Sequence, residues 1–222
     1  SNFTIELLPP YVDVFCATEK ISCDGYVAGY NQYHQEILDD KSMLSLYKPD
    51  IFFIAVSMKK ICPDITYSFS SLTAGQKKAF MEDIIAYMDN LVNTILERYN
   101  ANILICNFPY PGYPTFGVAD VNDRWGERFF YQEVNSKLFH LLLNNPRAQL
   151  FDFERMVSRF GSDNLYDPKM YYVAKMEWSG KFLPLVASEI LKWVVAIKGY
   201  AKKCLALDLD NTLWGGVTGE DG

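Results

Sequence analysis

The sequence predicts an α/β fold, doubly wound, with a mostly parallel sheet flanked by helices. Short, continuous apolar runs at Ile51 to Val56, Asn102 to Cys106 and Gln149 to Phe153 have the length and composition of strands buried on both faces. Between them lie longer stretches whose apolar residues recur at helical spacing, most clearly Phe80, Ile84, Met88, Leu91 and Ile95. Strand alternating with helix at this spacing implies parallel strands joined by helical crossovers. Half of the 222 residues are hydrophobic and 15% are aromatic, ample for a packed core and far from a disordered composition.

Taken in order, Phe3 to Leu8 reads as the tail of an amphipathic helix stopped by Pro9-Pro10, and Tyr11 to Cys16 as a first strand. Beginning on a helix tail leads us to expect that a strand precedes it in the natural protein. The Ser1-Asn2 pair resembles the remnant of a cleaved tag and is expected to play no part in the fold. Val27 to Leu46 is polar, with Tyr30, Tyr33, Ile37 and Leu38 at helical spacing. The long helix after Gly75 is expected to be capped by Ser71 or Thr73, because a hydroxyl there can accept from an otherwise orphaned backbone amide. Phe108 to Asp123, rich in Pro, Gly and Tyr, is a long loop leaving a strand end, where α/β proteins place functional segments. Helices follow at Trp125 to Leu143 and Gly180 to Ile197, with Gly199 as the stop of the second.

The formal charge of −6 argues against a nucleic-acid partner, which would require clustered Lys and Arg. The one basic group, Lys198 with Lys202 and Lys203, reads as a solvated helix end. Five cysteines without a C-x-x-C pair indicate neither a disulfide framework nor a thiolate zinc site, and fit a reducing cytoplasm. No apolar run approaches the ~18 residues that would span a bilayer, so no membrane partner is expected.

The run with the most chemistry is Lys203 to Gly222. A short apolar strand, Cys204 to Leu207, ends in two carboxylates at i and i+2, Asp208 and Asp210, followed by small polar residues and Gly215-Gly216. Two acids at a strand mouth attract a hard cation such as Mg²⁺, which bridges to phosphate. One carboxylate is then free to act as nucleophile while the other manages protons.

The sequence D-L-D-N-T-L-W-G-G-V-T-G-E-D-G from Asp208 resembles the first motif of the haloacid dehalogenase (HAD) superfamily, and its extension past Thr212 is similar to the FkbH-like branch. The resemblance implies that Asp208 is the nucleophile and Asp210 the acid/base. Mg²⁺ would be held by the Asp208 carboxylate and the Asp210 main-chain carbonyl. Leu209, Asn211, Thr212 and Trp214 would lie next to the substrate, with Trp214 to Val217 opening a flap over it. The later HAD elements do not occur before Gly222, so we expect a piece of a longer protein, with residues 1–199 as one α/β domain and 200–222 as the first strand of a HAD Rossmann-like domain.

Residues before Lys202 resemble, more loosely, the SGNH-hydrolase-like domain that precedes the HAD domain in FkbH-like proteins, an SGNH or flavodoxin-like sheet. The best points are Tyr30-x-Gln32-Tyr33-x-Gln35-Glu36, Lys48-Pro49-Asp50, and Asp167-Pro168 with Trp178. An SGNH esterase needs a Gly-Asp-Ser serine, an Asn at a later strand end and a late Asp-x-x-His. Asn107 fits the second. Gly-Asp-Ser does not occur, and Met170 stands where the histidine belongs. The two histidines, His34 and His140, fall on predicted helices and read as surface or packing residues. Cys106, beside Asn107 at a strand mouth, is the one thiol in a reactive place, and the family's glyceryl transfer through a thioester gives it interest. With no adjacent His or Lys to lower its pKa, we expect it to be a core residue.

These readings leave three functions. The first is a Mg²⁺-dependent phosphatase or phosphotransferase using an aspartyl-phosphate, acting on a phosphorylated small molecule or carrier-linked substrate of phosphoglyceryl type. The second is a non-catalytic SGNH-like module that docks a partner such as an acyl carrier protein. The third and weakest is an esterase.

Overall fold

The computed structural model describes residues 1–201, so all but the first two residues of the expected second domain, Asp208 to Trp214 included, lie outside the described residues. Three strands, β1 (Ile51–Ile54), β2 (Asn102–Cys106) and β3 (Ala148–Phe151), form a sheet in that order. All pairs are parallel, in the register Ile51↔Asn102 and Ile103↔Ala148.

Helices cover both faces, as the continuous apolar strand runs require. Along β2, Ile103 and Ile105 point into one core and Leu104 and Cys106 into the other, following the two-residue side-chain period. The first core is closed by α2 (Tyr33–Leu38), α3 (Met43–Tyr47), α5 (Pro63–Tyr67), α6 (Ala74–Arg98) and α7 (Glu127–Leu143). The second is closed by α1 (Leu8–Thr18), α8 (Phe153–Phe160) and α11 (Leu183–Ile197). Ile103, Leu104 and Ile105 have no exposure at all. Short helices α4 (Met58–Ile61), α9 (Ser162–Leu165) and α10 (Pro168–Ala174) lie in the connections.

The predicted helix over the middle of the chain forms as α6. Thr73 is its N-cap, in a reciprocal capping box with Gln76. Gly199, at φ +75°, follows α11 where a left-handed residue is needed to stop it. Lys198 pairs with exposed Asp50 at 2.9 Å, in keeping with a solvated helix end.

The first strand expected at Tyr11 to Cys16 is instead part of helix α1. Pro9 and Pro10 do not stop a helix but start one, occupying its first turn, where no backbone N–H is needed. Leu8, Val12 and Phe15 then form a stripe at helical spacing that faces the second core, where α1 packs on α11. Val27 to Leu46 yields two helices, because Ser42 caps a new one: its hydroxyl accepts from the Ser45 amide at 3.1 Å. Nor is Asn2 a passive remnant. It is buried, and its side-chain oxygen accepts from the Ser57 amide at 2.8 Å just beyond β1.

Candidate functional site

Because the three strands are parallel, their carboxyl ends share one edge, and the chain leaves them there for the connecting helices. A cleft of about 670 Å³ opens at this edge. Its floor is Ala55 to Ser57 beyond β1 and Cys106 to Phe108 at the end of β2. Its walls carry Phe153 and Trp178, stacked at 4.7 Å between ring centroids.

Sequence placed Asn107 at this edge, and it is there, but its side chain is already engaged. The Asn107 carbonyl oxygen accepts from the Glu154 amide at 2.8 Å, and its amide nitrogen donates to Asp152 at 3.1 Å. Asn107 thus clasps the end of β2 to the start of α8. Cys106 is the buried core residue expected, packed in the second core, where burial pushes its thiol well above the ordinary value.

The loop after β2 is held by three buried or half-buried polar residues. Asn135 donates to the Phe108 carbonyl at 2.8 Å and accepts from the Phe108 amide at 2.9 Å. Asp120, with no exposure, accepts from the Glu127 and Arg128 amides and from the Tyr110 hydroxyl. The two Glu127 oxygens accept from the Thr115 amide and hydroxyl at 2.6 and 2.9 Å. Buried Lys77 closes the base of the loop, donating to the Trp125 carbonyl at 2.8 Å while its Nζ lies 3.8 Å over the Phe69 ring.

The polar groups that face the cleft with capacity to spare are ones sequence reasoning missed. Glu177 lies in the wall. Burial raises its carboxyl above the ordinary value, a shift that the Ser57 side chain and the Lys59 and Lys60 charges oppose. Its Oε1 and the Thr66 hydroxyl are both buried without a hydrogen-bond partner among the described residues. Lys59 Nζ sits over the rings of Tyr166 and Tyr171 at 4.9 and 5.1 Å. Ser57 was findable, since it directly follows the predicted strand. Thr66 and Glu177 sit in no periodic pattern that marks them.

The parts of an SGNH triad do not assemble in the cleft. Neither His34 nor His140 lines it. His34 Nε2 is 2.8 Å from the Tyr87 hydroxyl, and burial lowers its pKa. Asp167 caps α10, accepting from the Met170 amide at 3.2 Å. Among the described residues no group of three or more His, Cys, Asp or Glu could hold a metal.

Fold and site define a parallel α/β domain, helices on both faces, with a cleft at the carboxyl ends of its strands. The chain belongs to the FkbH family through its N-terminal domain, which matches residues 6–196. A solved structure described as the N-terminal part of the protein BF1531 from Bacteroides fragilis, containing a phosphatase domain complexed with Mg, aligns over the whole chain at 23% identity and a TM-score of 0.79. This chain spans 57% of that one. The acetyl xylan esterase AlAXEase aligns over 87% of this chain and 91% of its own at 17% identity and a TM-score of 0.45. No curated protein matches. Among the described residues no helix is long and apolar enough to cross a membrane.

Proposed function

We propose that the chain is the N-terminal part of a cytoplasmic, Mg²⁺-dependent phosphatase or phosphotransferase of the HAD class. Residues 1–199 form a non-catalytic α/β module, and the enzyme's nucleophile strand begins after residue 200. The observation that carries this reading is the order of the parts: a domain of the FkbH N-terminal family is followed at once by the motif that begins at Asp208. The neighbouring structure's description, which joins an N-terminal part to a phosphatase domain with Mg, supports it.

In this reading Asp208 attacks the phosphorus of a phosphate ester, and the bond from phosphorus to the leaving oxygen breaks as Asp210 gives that oxygen a proton. Asp210 then takes a proton from water, which attacks the same phosphorus and releases the Asp208 carboxylate. Leu209, Asn211, Thr212 and Trp214 line the approach. Mg²⁺, held by the Asp208 carboxylate and the Asp210 main-chain carbonyl, would offset repulsion between the substrate dianion and the acids. The substrate class is a phosphoglyceryl-type compound, free or carrier-linked, and the partner docked by the first domain is an acyl carrier protein. The absence of a histidine from the cleft lining is what favours docking over ester hydrolysis for that domain.

Rapid-quench labelling of the full natural protein with a radioactive phosphate donor, followed by peptide mapping, tests the assignment. Label should accumulate on Asp208 in the Asp210→Asn variant, and Asp208→Asn should lose turnover by several orders of magnitude. Near-normal turnover in Asp208→Asn, with no labelled peptide in either variant, would sink the proposal.

A further inference from the structure

We infer that the cleft at the strand ends is a binding site for an uncharged ligand with hydrogen-bond donors, an amide or alcohol on an apolar frame, and that Glu177 and Thr66 recognise it. This goes beyond the phosphatase reading and stands or falls separately, since none of its residues belongs to the Asp208 motif.

The argument starts from unsatisfied polar atoms. Buried oxygens almost always have a partner, because leaving one unpaired forfeits its hydration without return. Among the described residues only two buried side-chain atoms lack one, Thr66 Oγ1 and Glu177 Oε1, and both residues line this cleft. They arrive from separate parts of the chain, Thr66 on α5 and Glu177 from the segment between α10 and α11. Tyr131, buried on α7, adds a third polar group to the same lining. Its pKa is raised by burial first and then by the charges of Glu127, Cys62 and Glu177, so its hydroxyl stays protonated and can donate.

The chemistry of the set selects the ligand. Glu177 offers an acceptor and demands a donor. When ionised, its carboxylate, half-buried in the cleft wall, repels a phosphate or carboxylate placed against it. The nearest cation, Lys59, lies at the mouth over Tyr166 and Tyr171. Much of the remaining wall is apolar and aromatic, with Phe3, Val56, Met58, Phe108, Phe153 and Trp178, and among its other polar members Asn107, Thr115 and Glu127 are already hydrogen-bonded within the domain. A cleft of this volume, mostly apolar with a few convergent polar groups, has the make-up of a small-molecule site.

The test uses three probes with one ring and different heads: benzamide, benzyl alcohol and benzoate. Each is titrated into the full chain at neutral pH while backbone amide resonances are followed by NMR. Benzamide and benzyl alcohol should shift the amides of Ser57, Met58, Phe108 and Glu177, and benzoate should bind about tenfold more weakly or worse. Glu177→Gln should collapse that discrimination by removing the charge. Thr66→Val, which deletes a hydroxyl without a partner among the described residues, should keep the fold and the melting temperature yet weaken benzamide, so the proposal remains open to refutation even if the Glu177 variant fails to fold. Equal affinity for benzoate, shifts confined to other surfaces, no shift with either neutral probe up to its solubility, or an unchanged benzamide affinity in Thr66→Val would each overturn it.

Discussion

Replacing Asn107 by alanine separates a structural role from a catalytic one at the residue that sequence placed at the site. The side chain makes two bonds, accepting from the Glu154 amide at 2.8 Å and donating to Asp152 at 3.1 Å. Asp152 is half exposed and also pairs with Arg155, so water can replace its lost bond cheaply. The Glu154 amide, part-buried in the first turn of α8, has no intrahelical acceptor to take it up. One modest loss and one stranded donor together cost roughly 2–3 kcal/mol. In a chain of this size that lowers the melting temperature by about 5–10 °C. Thermal unfolding followed by far-UV circular dichroism reads this directly, and a melt within about 1 °C of the parent would refute the clasp. Asn107→Asp sharpens the case. It preserves the acceptor for Glu154 but sets a second carboxylate against Asp152, which raises the pair's pKa in the folded state. A raised folded pKa means that the native state binds the proton more tightly. The variant should therefore lose stability as pH climbs through that value and recover it in acid.

Two further substitutions test the framework around the cleft. A Cβ on Gly126 would clash with the Asp120 main-chain carbonyl oxygen and lie 3.0 Å from its carboxylate, so Gly126→Ala must displace the buried acid that organises the loop. The expected cost is about 1–3 kcal/mol by urea unfolding, and an unchanged midpoint would show that the loop yields freely. Glu177→Gln addresses the raised carboxyl. The parent should lose stability as pH rises from the ordinary 4.5 through the raised folded value, and the glutamine variant should lack that decline. Parallel curves of urea midpoint against pH for the two proteins would count against a desolvated Glu177.

Much of the fold is legible in sequence because burial on both faces leaves a plain mark. Strand β2 coincides with the apolar run Asn102 to Cys106, and the stripe of α6 announces the helix, whose cap, left between Ser71 and Thr73 by sequence, is Thr73. Helix α1 is not legible in sequence because Tyr11 to Cys16 satisfies strand and helix patterns alike over so short a span, and the prolines before it are compatible with either a stop or a start. The cleft was half legible. A strand-end rule finds Asn107 and could have found Ser57. The engagement of Asn107 depends on Asp152 and Glu154 far along the chain, a relation that only the parallel pairing of β2 and β3 creates. Thr66 and Glu177 acquire meaning only once two unrelated segments meet at one opening.

The register of the sheet also sets how this domain can be built in time. Every strand pair joins partners roughly fifty positions apart, with a long helix between them, so chain closure is spent before any ladder bond repays it. Helices such as α6 can form within microseconds on their own contacts, while the strands must wait for their partners. During that interval Ile103 to Ile105, which end with no exposure, are open to pairing with another chain. The same parallel arrangement that gathers three strand ends into one cleft makes the domain a slow folder, most vulnerable to aggregation before its central strand is enclosed.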